Sequence, residues 1–112
     1  MPRSFTTSTL PPQAQQAIKK FGEDIAVARK RRRLPQRLLA EKMMVNVETV
    51  QRLERGDPAV SVGIVASALF VLGLTSRLAD LALPSSDQVG EGEAIRALPR
   101  RVRVARDPDL DF

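Results

Sequence analysis

Apolar residues in the first third of the chain recur at three- and four-residue steps: Ala14, Ala17, Ile18, Phe21, Ile25 and Ala28. That is the period of one helical face, so a helix is expected over residues 13–33, with Gly22 weakening its middle without breaking the pattern. Pro35 blocks continuation of that helix and suits the first turn of the next. This second helix is expected over 35–43, with Leu38, Leu39 and Met43 facing inward. Asn46 can cap a third helix over 47–55, where Val50 and Leu53 supply the buried face and Gly56 marks the end. Ser61 can cap a fourth over 62–72, apolar nearly all round and therefore expected to be the most buried element. Gly73 closes it, and Ser76 opens a short fifth helix that runs to Leu83 and stops at Pro84.

The flanks read differently. Residues 1–12 are rich in Ser, Thr and Pro and are expected to form a flexible arm. Beyond Pro84 the chain turns polar and Gly-bearing, so 85–112 are expected to be a linker and C-terminal tail with one weak helical turn over 93–98. Within the tail, residues 101–106 alternate basic and apolar with period two, which suits a half-buried strand. A lone strand in a helical domain has unpaired backbone groups. It must pair with the same segment of a second copy, or else remain a disordered basic tail. The fold class expected is therefore all-α: a five-helix domain over 13–84 between an arm and a tail that can add a short dimer strand.

Composition narrows the function. The chain has 112 residues, enough for one domain plus tails, and 18 Lys+Arg against 13 Asp+Glu give a net charge of +5. Such a balance favours polyanionic partners, nucleic acid before membrane, although a solubilising surface would look the same. Without a single His or Cys, zinc sites, Cys nucleophiles and His-based acid–base catalysis are unavailable. The four aromatics are all Phe, which argues against base stacking on an aromatic platform. No catalytic residue, metal, cofactor or enzyme activity is expected. The N-terminus lacks a long apolar run, so neither a secretory signal nor a membrane span is expected, and a cytoplasmic location is.

Two helices as short as the second and third cannot bury much surface alone. What the pair can do is present the outer face of its second member to the major groove of DNA. The residues carry that reading further. The pattern Leu34-x-Gln36-x-x-Leu39-Ala40-x-x-x-x-Val45-x-x-x-Thr49-Val50-x-x-Leu53-Glu54-x-Gly56 resembles the Cro/lambda-repressor-like (XRE) helix-turn-helix family over roughly residues 21–83. In that family a small residue at Ala40 lets the two helices approach, and Val45 plugs the core beneath the turn. Two positions depart from it: Pro35 stands where Ser or Thr usually caps, and Met44 replaces the customary turn Gly. A left-handed Met44 costs about 1–2 kcal/mol; a rearranged turn is the alternative.

Docking geometry of this kind makes Val47, Glu48, Gln51 and Arg52 the candidate base readers. Arg52 matches guanine, Gln51 adenine, Glu48 a cytosine amine and Val47 a thymine methyl. Gln36, Arg37, Asn46, Thr49 and Arg55 are the candidates for phosphate contacts, which set register rather than sequence. The resemblance also implies a structural ion pair between Arg29 and Glu54, whose worth depends on burial. The run from Arg29 to Arg33 is either a solvated face or a phosphate clamp.

One such motif reads too few base pairs to find a genomic site, so a homodimer on double-stranded operator DNA is expected. Its interface is expected on the apolar far face of the fourth and fifth helices, which carry Val65, Leu69, Val71, Leu72, Leu74, Leu78, Leu81 and Leu83. The run from Gly56 to Gly90, followed by Leu98-Pro99-Arg100-Arg101-Val102-Arg103, is similar to the HipB-like antitoxins. That narrower resemblance implies an autoregulating repressor that also binds a HipA-type kinase toxin. A stand-alone or phage-type regulator without a toxin partner is the alternative.

Overall fold

In the computed structural model, residues 10–97 are described, and among them all regular structure is helical. The strand expected over 101–106 and most of the expected arm lie outside the described residues. Contacts divide the chain into two compact units, Met1–Leu78 and Ala79–Phe112. The first holds α1 (Pro12–Arg31), α2 (Gln36–Met43), α3 (Val47–Arg55) and α4 (Val62–Leu72), with all but the last residue of α5 (Thr75–Ala79) at its end. The second holds a 3₁₀ turn (Pro84–Ser86) and α6 (Gln88–Ala97).

Within the first unit, Ile25 of α1, Leu39, Ala40 and Met43 of α2, Val50 and Leu53 of α3, and Ala68, Leu69 and Leu72 of α4 form one buried cluster. Full burial of a large apolar side chain contributes about 1.5–3 kcal/mol, so this cluster is what makes the short helices α2 and α3 stable. Val45 packs against it from the turn below, as its position in the motif implies. Leu38 is only half-buried, because Leu39 and Ala40 take the inward arc of α2.

The local signals at α3 and α4 set those helices to the residue. Asn46 Oδ1 accepts from the Thr49 N–H at 3.0 Å, and Ser61 Oγ accepts from the Ile64 N–H at 3.2 Å. Four helices end in the same way, with the chain turning through a left-handed residue. The following N–H then bonds back five residues: Leu34 to Arg29, Val45 to Ala40, Asp57 to Arg52 and Leu74 to Leu69. Gly56 and Gly73 make two of these turns, while Arg33 (φ 57°) and Met44 (φ 61°) make the other two without glycine's freedom. Met44 therefore adopts the left-handed conformation rather than a rearranged turn. Arg33 also shortens α1, which stops at Arg31 instead of Arg33, and Pro35 serves as the N-cap of α2 rather than its first residue.

Gly22 is not a weak point in α1. A Cβ there would lie 2.6 Å from the Leu53 carbonyl oxygen and 2.7 Å from that of Glu54. A Cβ at Gly56 would lie 2.6 Å from Lys19 Cα. The backbones of α1 and the end of α3 thus touch where side chains are missing, and both elements are held at that spacing.

Other expectations need correcting. Helix α4 is not the most buried element: Val62 is 69% and Phe70 74% exposed. Ala68, Leu69 and Leu72 are buried in the core and Ile64, Val65 and Val71 pack against it, so a helix apolar all round keeps one apolar flank in solvent. Helix α5 stops at Ala79, four residues before Leu83. The five helices expected over 13–84 are present as α1–α5, and in the second unit α6 stands where a linker with one weak helical turn was expected. Asp87 Oδ1 accepts from the Gly90 N–H at 2.9 Å and starts α6. A Cβ at Gly90 would collide with that carboxylate, so the glycine that suggested a linker is what admits the cap.

Candidate nucleic-acid interface

Helix α3 turns Val50 and Leu53 inward, and both are fully or nearly fully buried. That orientation leaves Glu48 and Arg55 exposed and Gln51 and Arg52 half-exposed on the opposite side. Val47, expected among the base readers, is half-buried and packs against the core. The cap occupies two of the expected phosphate contacts: Asn46 Oδ1 accepts from both the Thr49 N–H and the Thr49 hydroxyl, the latter at 2.8 Å. Arg37 is exposed in the first turn of α2.

The expected ion pair is present and buried. Arg29 Nε donates to Glu54 Oε2 at 2.6 Å and Nη2 to Oε1 at 3.0 Å, with the two side chains 9% and 7% exposed. The third guanidinium nitrogen, Nη1, donates to the Leu34 carbonyl at 2.9 Å. Gln36 Nε2 donates to Glu54 Oε1 at 2.9 Å. Arg29 thus joins α1 to the α1–α2 link and to α3, and Gln36 adds α2 to the same carboxylate. A buried pair in which every fork is used is strongly destabilised by loss of one partner, by about 3–5 kcal/mol. Gln36, read as a phosphate contact, has one Nε2 hydrogen committed to this brace and keeps the other along with its backbone N–H.

Helix α2 follows its N-cap Pro35 without any side-chain cap. Pro35 O accepts from the N–H groups of Leu38 and Leu39, while those of Gln36 and Arg37 have no partner among the described residues. An uncapped helix start with its positive dipole end and an adjacent Arg37 is a fitting seat for a phosphate.

Arg52 has a partner that sequence reasoning missed. Its Nε donates to Asp57 Oδ2 at 2.8 Å, although Glu48 stands one helical turn earlier at the spacing that usually pairs. Asp57 Oδ1 also accepts from the Ala59 N–H at 2.9 Å. The Ala59 N–H, and after it the Arg52 guanidinium, hold the Asp57 carboxyl below the usual carboxylate range. A spacing of five residues across a helix end is no standard pairing signal; the Gly56 turn brings the two side chains together. Between α1, α2 and α3 lies a shallow groove of about 460 Å³ whose lining includes Glu23, Val27, Lys30, Gln51 and Arg55. It is open and mixed in polarity.

No helix among the described residues is long and apolar enough to cross a membrane. Among the same residues no group of three or more acidic, His or Cys side chains is placed to hold a metal ion. No curated protein matches the chain. The crystal structure of the clp gene regulator ClgR from Corynebacterium glutamicum is similar at 26% identity, covering 70% of this chain and 86% of that one, with a TM-score of 0.48. The family model described as helix-turn-helix matches residues 25–77. That span runs from Ile25 in the core through α2, the Met44 turn and α3 to α5, and over it the chain has the helix-turn-helix fold.

Proposed function

We propose that the chain is a sequence-specific transcriptional regulator that binds double-stranded DNA, acts as a repressor in the cytoplasm, and reads bases with the outer face of α3. The observation that carries this reading is the buried Arg29–Glu54–Gln36 brace, which fixes α3 against α1 and α2 while leaving its polar face open. Glu48, Gln51 and Arg52 are the base readers, and Val47 offers a thymine methyl whatever part of it stays uncovered by the core. Arg37 and the open N–H groups at the start of α2 take a phosphate. Asn46, Thr49 and Arg55 flank the groove. Enrichment of bound duplexes from a random pool tests this: one recurring sequence is expected, and enrichment of none overturns it.

The working form is a homodimer on a two-fold operator. Val62 and Phe70 support this, since they lie on one exposed flank of α4 that a second copy can cover. Sedimentation of wild type and Phe70→Ser tests it, with a weaker dimer expected for the variant. The resemblance of residues 56–90 and 98–103 to HipB-like antitoxins supports a narrower role, in which the repressor also binds a HipA-type kinase toxin and controls the shared operon. Footprinting upstream of its own gene, with and without a co-purifying kinase, decides between that role and a stand-alone regulator.

A further inference from the structure

Arg52 is held at one edge and open at the other. Its Nε–H goes to Asp57 Oδ2 at 2.8 Å, while Nη1 and Nη2 make no hydrogen bond among the described residues. The side chain stays 43% exposed. Asp57 is itself fixed three times over. Its backbone N–H donates to the Arg52 carbonyl at 3.1 Å, closing α3. Its Oδ1 accepts from the Ala59 N–H at 2.9 Å, and its Oδ2 takes Arg52. Both oxygens of a carboxylate on a short stem are thereby anchored to backbone and helix.

The choice of partner matters. A glutamate four residues before an arginine on a helix ordinarily pairs with it. Here Glu48 makes no hydrogen bond or ion pair among the described residues, and the arginine is held by Asp57 instead. Donor and acceptor on the outer face therefore stay separate. The two Nη groups of a guanidinium can bond guanine O6 and N7 end-on, and a lone carboxylate can accept from a cytosine amine. Had Glu48 and Arg52 paired, each would have satisfied the other and neither would read a base.

We propose that Asp57 is a positioning residue for DNA recognition: it grips Arg52 by Nε, presents the Nη edge to a guanine, and keeps Glu48 open for a cytosine amine. This rests on the DNA-reading role proposed above. Asp57 remains an anion at neutral pH, as the lowered carboxyl requires. Its negative charge beside the binding face opposes phosphate, so the residue helps selection of sequence and not general affinity.

The test uses the full chain and the duplex that wild type enriches from a random pool. Affinities are measured for that duplex, for each single base-pair replacement in it, and for an unrelated duplex. Arg52→Ala is expected to erase preference for guanine at one position. Asp57→Asn, which keeps an acceptor for the Ala59 N–H, is expected to lower the preference at that same position by about fivefold or more, from the usual worth of a bidentate contact. Affinity for the unrelated duplex stays level or rises. In the Arg52→Ala background, Asp57→Asn changes no base preference. Asp57→Ser, also an acceptor at that place, gives the same result if the Asn variant folds poorly by circular dichroism. An unchanged or sharpened guanine preference in Asp57→Asn overturns the proposal, since Asp57 would then be withholding Arg52. An equal effect in the Arg52→Ala background also overturns it. A wild type that enriches no sequence overturns the DNA reading first, and this inference with it.

Discussion

Gly22→Ala sets two opposed effects against each other. Alanine is the better helix former, and in a helix interior the exchange contributes about 1 kcal/mol of stability. Against this, the new Cβ would stand 2.6 Å from the Leu53 carbonyl oxygen, 2.7 Å from that of Glu54 and 2.9 Å from the Glu54 carbonyl carbon. A relaxed C···O approach is about 3.3 Å, so α1 and α3 must part by roughly half an ångström or more. The opposing atoms are backbone, with no rotamer to swing away. Overpacking of that kind costs about 1–3 kcal/mol, and here the upper half of the range applies because Glu54 carries the buried brace. The net expectation is a loss of about 1–2 kcal/mol, or roughly 5–15 °C in Tm for a domain of this size. Gly63→Ala is the control, since a Cβ there meets only Ser61 Oγ at 3.7 Å. That variant should gain up to about 1 kcal/mol. Urea unfolding followed by circular dichroism measures both. If Gly22→Ala gains stability as Gly63→Ala does, the close approach of α1 and α3 is not a constraint and the account of Gly22 is wrong.

Arg29→Met should cost about 3–5 kcal/mol in the same assay by stranding Glu54, and the double variant Arg29→Met/Glu54→Met should recover most of that loss. Met44→Gly relieves a left-handed side-chain residue worth about 1–2 kcal/mol while adding the entropy of an unfolded glycine, so a net gain of roughly 0.5–1 kcal/mol in unfolding free energy is expected. Asp57 has a folded pKa below its unfolded one, so its contribution is complete above the unfolded value of about 4 and disappears as pH falls through the folded value. Unfolding of wild type and Asp57→Asn across pH should therefore show a gap at neutral pH that closes in acid. Arg37→Ala should weaken binding about equally on the selected and scrambled duplexes and flatten the dependence of affinity on salt by about one phosphate contact.

Local signals carried far along this chain. Asn46, Gly56, Ser61 and Gly73 act on their own neighbours, and α3 and α4 begin and end where those residues say. The Arg29–Glu54 pair came from resemblance, and only the fold could add that Gln36 and the Leu34 carbonyl share it. What escaped the sequence depends on distances between segments. Gly22 looked like a flaw because helix propensity counts one helix at a time, whereas its use lies in the nearness of α3. Arg52 had an obvious partner in Glu48 by spacing, and the turn at Gly56 supplied Asp57 instead. The flank of α4 with Val62 and Phe70 looked buried because hydrophobicity alone cannot say how many neighbours arrive to cover it. Gly90 and Gly92 suggested a linker, and the Asp87 cap outweighs them.

The contact at Gly22 and Gly56 also bears on how such a chain can change over generations. Helix α3 is seated through main-chain atoms and through the Arg29–Glu54 brace, neither of which involves the side chains of residues 48, 51 and 52. Substitutions at those three positions therefore leave the seat of the helix intact, Arg52 alone giving up an ion pair, to Asp57. Innovation in what the outer face recognises is thereby separated from the risk of losing the fold. Drift at Gly22, Arg29 or Glu54 carries the opposite consequence, since one substitution moves every outward side chain at once. A lineage built on this frame should diversify along the exposed ridge of α3 while its glycine seat stays unaltered.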